Sequence, residues 1–188
     1  SGIPEIKKCG LINNKKILKM LIINKEKCLN RDYSYFSKII RLTLMTKIKF
    51  FKDDVYEQSK RLNLNFGHTF AHAIEMSLKG KNVDIIRHGE AVGMGMLCEI
   101  FYKEGKSIKF RKLEHILKHY NLPTNLSLFK SNQKSNKLKN EIFKNIFLDK
   151  KKIGKFPRII KLTSIGKSRI TEMKNNKKIK ETISKVLF

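Results

Sequence analysis

The side chains best able to do chemistry crowd into residues 61–75, RLNLNFGHTFAHAIE. His68 and His72 are four apart, so on a helix they share one face and can reach one site. The pair is not the HExxH of a metalloprotease, because Thr69 stands where the general-base glutamate would be. A third imidazole, His88, opens the glycine-rich stretch HGEAVGMGM, so three of the five histidines fall within 21 residues. A catalytic zinc usually takes three protein ligands and keeps one position open. The remaining pair, His115 and His119, lies on a lysine-rich stretch and reads as surface.

Helices must position these groups. Residues 1–30 read helical, with Pro4 suited to a first turn. A second helix is expected over about 32–50 and a polar, loop-like stretch over 52–65. Phe70, Ala73, Ile74 and Leu78 recur at helical spacing over 66–80, with Gly80 as terminator. After a short loop, Lys81 to Ile86, an apolar helix runs from His88 to near Gly105. It contains or adjoins Gly89, Gly93 and Gly95. Glycines inside a helix are costly, so several together point to close approach of another helix or a ligand. Helical pattern returns at 107–120 and stops before Pro123. Residues 130–155 are Lys/Asn/Ser-rich and read as a solvated helix and loop. Ile159, Ile160, Leu162 and Ile165 before Gly166 suggest a strand and turn. The tail, 173–188, reads as a basic amphipathic helix. The expected fold is mainly α: one multihelical domain over 1–188, with at most a small strand pair near 156–171.

Composition narrows the function. The chain has 188 residues, 40% hydrophobic and 31% charged, which suits a folded globular protein. No apolar run approaches the roughly 18 residues of a membrane span. The net charge is +26, yet lysine supplies 35 of the 42 cations and arginine only 7. Nucleic-acid readers lean on arginine. A lysine- and asparagine-rich surface instead matches the codon bias of an AT-rich genome, and no nucleic-acid partner is expected. Cys9, Cys28 and Cys98 form no CxxC pair, so a reducing, cytoplasmic setting is expected. The first residue is Ser1, not Met, and the chain is expected to start part-way through a longer protein.

The stretch LNFGHTFAHAIE followed by HGEAVGMGM resembles the 3-dehydroquinate synthase family, whose pattern is LNxGHTxGHAIE…HGEAVxxGM. The opening SGIPEIKKCGLI resembles the family's SGxAEVIKxGxI. Lys47, Asp54 and Arg61 match a further K…D…R pattern. Asp149, Lys150 and Lys151 resemble its DKK element, and Ile165 with Gly166 the pair after its strand. The matches run in family order over nearly the whole chain. Departures include Pro4 for Ala, Lys7 for an apolar residue, Ala71 for Gly and Val55 for an acid.

The resemblance implies a fold and an activity. The family enzyme joins an NAD-holding α/β domain to a multihelical domain carrying the metal and much of the substrate site. This chain resembles the second alone. It has no glycine-rich dinucleotide fingerprint, so no NAD-binding residue is assigned to it. By resemblance, Glu5, His68 and His88 are the ligands of Zn2+ or Co2+; on its own, Glu5 reads as a first-turn carboxylate facing the helix dipole. Lys47, Arg61, Asn65, His72 and one of Lys150 or Lys151 correspond to substrate-binding residues, and His72 and Lys8 to catalytic ones. The implied reaction is conversion of 3-deoxy-D-arabino-heptulosonate 7-phosphate, a phosphorylated keto-acid sugar, to 3-dehydroquinate and phosphate, a step of aromatic amino acid biosynthesis. The full-length enzyme is expected to be a homodimer, and this chain alone inactive. The alternatives are another NAD- and metal-dependent sugar-phosphate cyclase, a polyol dehydrogenase of the same fold, or a basic RNA-binding protein. Arginine and asparagine ahead of His68 favour an anionic substrate over a simple alcohol.

Overall fold

Polar side chains set where the helices begin in a computed structural model that describes residues 2–30, 32–56, 59–78, 86–129, 135–148 and 156–188. The residue 1–30 region divides into α1 (Gly2–Ile12), α2 (Lys15–Ile23) and α3 (Lys25–Leu29). Asn14 breaks the first run by accepting the Lys16 N–H at the start of α2, as N-cap residues do. Asp32 does the same for α4 (Tyr33–Asp53), accepting from Tyr35 N–H at 2.9 Å. The stretch expected to be a loop over 52–65 contains a short 3-10 helix, Lys60–Asn65. It ends against α5 (His68–Leu78).

The central element is α6 (His88–Glu104), buried along nearly its whole length from Gly89 to Tyr102. Its glycines serve helix contact, as their clustering suggested. A Cβ on Gly95 would lie 2.0 Å from the Gly67 carbonyl oxygen, and one on Gly93 would press on Leu117. Helices α5 and α6 therefore cross with backbone against backbone. Gly67 also has φ +85°, a left-handed conformation that side chains disfavour. We expect Gly95→Ala to lower stability by about 1–3 kcal/mol through overpacking, read as a fall in the urea midpoint. An unchanged midpoint would show that the crossing can open.

Ser107 starts α7 (Ile108–His119) by accepting from Phe110 N–H. Helix α8 (Ser135–Leu148) corrects the solvated reading expected over 130–155 for its own length, the rest of that stretch lying outside the described residues. Leu138, Ile142 and Ile146, spaced by four, are buried and join the core with Phe70, Ala73 and Ile74 of α5. Two phenylalanines, Phe143 and Phe147, pack at the edge of that core. Asn136, Lys137, Asn140 and Lys144 form the wet face, while half-buried Asn145 donates to Ser77 Oγ at 2.8 Å. The antiparallel pair β1 (Arg158–Ser164) and β2 (Lys167–Glu172) lies where expected. The tail forms α9 (Asn176–Thr182) and a π-helical turn, Ile183–Leu187, whose Ile179, Ile183 and Leu187 enter the core. Among the described residues, the only sheet is this two-stranded one, as a mainly α fold requires.

A second core cluster joins α1, α2, α4 and α7 through Ile6, Cys9, Ile17, Leu21, Ile39 and Ile116. The three cysteines are free and buried.

Candidate metal centre

Three elements bring one possible metal donor each to a single place. Glu5 comes from the first turn of α1, His68 from the first residue of α5 and His88 from the first residue of α6. One donor atom from each lies within 4.8 Å of the other two. The position of His68 follows from local sequence: the left-handed Gly67 turns the chain after buried Phe66 and starts the helix.

Each imidazole is oriented through its Nδ1. That of His88 meets Glu75 Oε1 at 2.8 Å, and that of His68 lies 3.3 Å from the Phe66 carbonyl oxygen. Both Nε2 atoms are left for the centre, with His68 Nε2 3.8 Å from Glu5 Oε1. Pairing the far nitrogen with a carboxylate or carbonyl is how metal-binding histidines are held. Burial, reinforced by the Lys8 charge, pushes His68 down to about 4, so its imidazole is neutral near pH 7, the form that can ligate. Burial pulls the Glu5 carboxyl up, but Lys8, His68 and Lys47 outweigh it and hold Glu5 below the usual range. Lys8 Nζ lies 2.8 Å from Glu5 Oε1 and Lys47 Nζ 3.5 Å from Oε2.

The donor set suits a divalent ion. Bond lengths of about 2.0–2.2 Å place the ligands of one zinc roughly 3–4 Å apart. Donors within 4.8 Å reach that by small side-chain adjustments.

The other residues singled out from sequence divide into groups. His72 joins the cluster as an exposed ring, with centroids 5.5 Å from His68 and 6.3 Å from His88. Lys8 and Lys47 join it through Glu5. Arg61 is held by its own neighbours: its guanidinium stacks 3.9 Å over the Phe51 ring and Nη1 donates to the Val55 carbonyl. Asp54 accepts the Arg61 and Ser59 backbone N–H groups, fixing that turn. Asn65 is half-buried at the end of the 3-10 helix. Lys150 and Lys151 lie outside the described residues, as do Asp149 and Gly80. His115 is exposed, but His119 is half-buried with its ring 5.8 Å from that of Tyr120, a correction to its surface reading.

Glu75 has no role in the sequence reading. The signal for one is present: it follows His68 by seven and His72 by three, so it shares their helical face. What the spacing does not disclose is that α6 brings His88 against it.

A mainly helical fold in which three helix starts converge two imidazoles and a carboxylate is a helical domain with a place that could hold a metal ion. Residues 2–152 match the family model described as 3-dehydroquinate synthase C-terminal, and the chain belongs to that family. It is 34% identical over 174 residues to the 3-dehydroquinate synthase of Thermodesulfovibrio yellowstonii, covering 90% of this chain and 46% of that protein. It is 36% identical over 172 residues to that of Dictyoglomus turgidum, covering 92% and 46%. The chain thus spans about half the length of these relatives. Among solved structures, 2-epi-5-epi-valiolone synthase from Streptomyces hygroscopicus, with NAD+ and Zn2+ bound, superposes with a TM-score of 0.78 at 14% identity, covering 97% of this chain and 49% of that one. A 2-deoxy-scyllo-inosose synthase complexed with carbaglucose-6-phosphate, NAD+ and Co2+ gives 0.65 at 21%, covering 99% and 51%. At these identities the structural likeness speaks for the fold.

Proposed function

We propose that this chain is the metal- and substrate-binding half of an enzyme that converts 3-deoxy-D-arabino-heptulosonate 7-phosphate to 3-dehydroquinate and phosphate. The observation that carries the reading is the convergence of Glu5, His68 and His88 within 4.8 Å, in a chain of the dehydroquinate synthase family. These three would hold Zn2+ or Co2+. A bound dication would supply Lewis-acid polarisation of a substrate oxygen, and NAD, held by the other half, would accept and return hydride.

The chain's own residues bind and orient. Lys8 and Lys47 bring positive charge to the rim of the centre, suited to a substrate carrying carboxylate and phosphate. His72, exposed beside the two ligand imidazoles, can donate a hydrogen bond to phosphate or relay a proton. Arg61 is set by Phe51 and Asp54 to meet a planar carboxylate. Asn65 and one of Lys150 or Lys151 complete the substrate set by their place in the family pattern. Among the described residues, no helix is long and apolar enough to cross a membrane. A cytoplasmic homodimer is the setting we infer for the whole enzyme.

The test is phosphate release from the seven-carbon substrate. The chain alone should release none. Joined to the N-terminal half of the Thermodesulfovibrio yellowstonii relative, it should release phosphate, and a chelator should stop it. A fusion that holds zinc and NAD yet releases no phosphate would overturn the reading in favour of a different polyol substrate.

A further inference from the structure

Glu99 lies in the middle of α6 and is fully buried. Its two oxygens are divided between two elements. Oε1 accepts the Gly67 N–H at 3.0 Å, and Oε2 accepts the Ile160 N–H of β1 at 2.8 Å. The Thr69 backbone N–H also faces this carboxyl and favours its charged form. Gly67 and Thr69 flank His68. The first N–H groups of a helix have no partner inside it, and neither Phe66 nor Gly67 has a side chain that could accept them. A carboxyl group from another helix does so instead. Thr69 adds a second tie, its Oγ1 donating to the Arg158 carbonyl at 2.6 Å. The turn that carries His68 is therefore clamped to α6 on one side and to β1 on the other.

That turn decides where the imidazole points. The His68 ring is held from behind by the Phe66 carbonyl and faces Glu5 through Nε2. Rotation of the peptides on either side of His68 would swing Nε2 away from Glu5 and His88. We propose that Glu99 is a positioning residue for the metal centre: by holding the Gly67 N–H and the Ile160 N–H of β1 together, it sets the direction of His68. The inference rests on the reading of Glu5, His68 and His88 as metal ligands.

Glu99→Gln tests it. Glutamine keeps the shape but offers one acceptor oxygen, and its NH2 must face one of the donors. The 188-residue chain and its variants are titrated with Zn2+ by calorimetry, with circular dichroism and a melting curve on each. Supporting-residue changes around metal sites typically cost about 10- to 100-fold in affinity, and that loss is expected for Glu99→Gln. Glu99→Asp, which keeps both acceptors on a shorter stem, should recover part of it. A control, Ile183→Val in the tail core, should lower the melting temperature while leaving zinc affinity unchanged. If Glu99→Gln binds zinc within about threefold of the unaltered chain, or the control loses as much affinity, the inference falls. If the unaltered chain binds no zinc, the metal reading itself fails and takes the inference with it. Should Glu99→Gln not fold, hydrogen exchange on the unaltered chain decides: zinc should slow the Gly67 and Ile160 amides, and unchanged rates would overturn the proposal.

Discussion

His68→Ala should lower the affinity of this chain for Zn2+ by several hundredfold, whereas His72→Ala should leave it nearly unchanged. Structural zinc in small domains contributes roughly 10–16 kcal/mol through about four ligands, so one lost ligand is worth about 3–4 kcal/mol, or about 10²- to 10³-fold. The two imidazoles are one helical turn apart and 5.5 Å between centroids, so the contrast depends on where each ring is aimed. His68 is half-buried and faces Glu5, while His72 is exposed. His68 also gathers three structural supports: the Gly67 turn, the Phe66 carbonyl and the Glu99 clamp. His72→Ala should instead weaken phosphate release by the two-domain fusion. Competition with a chromophoric chelator measures both affinities. Equal losses for the two variants would mean that the ligand set is wrong, with His72 taking the place given to His88 or Glu5.

Much of the fold is legible in the amino-acid sequence, for a definite physical reason. Helical periodicity locates α5 and α6 because their apolar positions are dense and lysine is scarce there. The same periodicity is faint in α8, where Leu138, Ile142 and Ile146 are spaced correctly but embedded in Lys and Asn. The polar face then dominates any average over the window, and a core helix reads as solvated. The short 3-10 helix at Lys60–Asn65 carries no apolar stripe to betray it. Within the site, likeness to a family is what marks His68, His88 and Glu5, since no local pattern joins residues 5, 68 and 88. Their convergence is a tertiary fact, made by the glycine-lined crossing of α5 and α6 and by the packing of α1 beside it. Glu75 and Glu99 escape a sequence reading because their partners, His88 and the Gly67 and Ile160 amides, lie on other elements.

Lys7→Met should stabilise the protein near pH 6 and lose that advantage by about pH 10. Lys7 stands where the family pattern has an apolar residue, and its side chain is fully buried in α1. Its Nζ donates to the Ile116 carbonyl at 3.0 Å, near the C-terminus of α7, and lies 4.2 Å above the Tyr120 ring. These contacts favour the ammonium, but burial outweighs them and pushes Lys7 from 10.5 down to about 7. Between these two values the unfolded chain holds one more proton than the folded chain. Stability therefore rises with pH by about 1.4 kcal/mol per pH unit across that window. Below about pH 7 both states are protonated, and the full cost, at most about 5 kcal/mol over the window, is present. Methionine removes the charge and fills a similar volume. It also leaves the Ile116 carbonyl without that donor, a loss of about 1–3 kcal/mol at any pH. The net gain near pH 6 is then about 2–4 kcal/mol, roughly 4–16 °C in Tm for a chain of this size. Near pH 10 the neutral amine still donates to Ile116, so the variant should be no more stable than the unaltered chain and can be less. Melting curves of both proteins at pH 6 and pH 10 check the sign. A shift of equal size at the two pH values would show that Lys7 does not carry its charge into a dry interior.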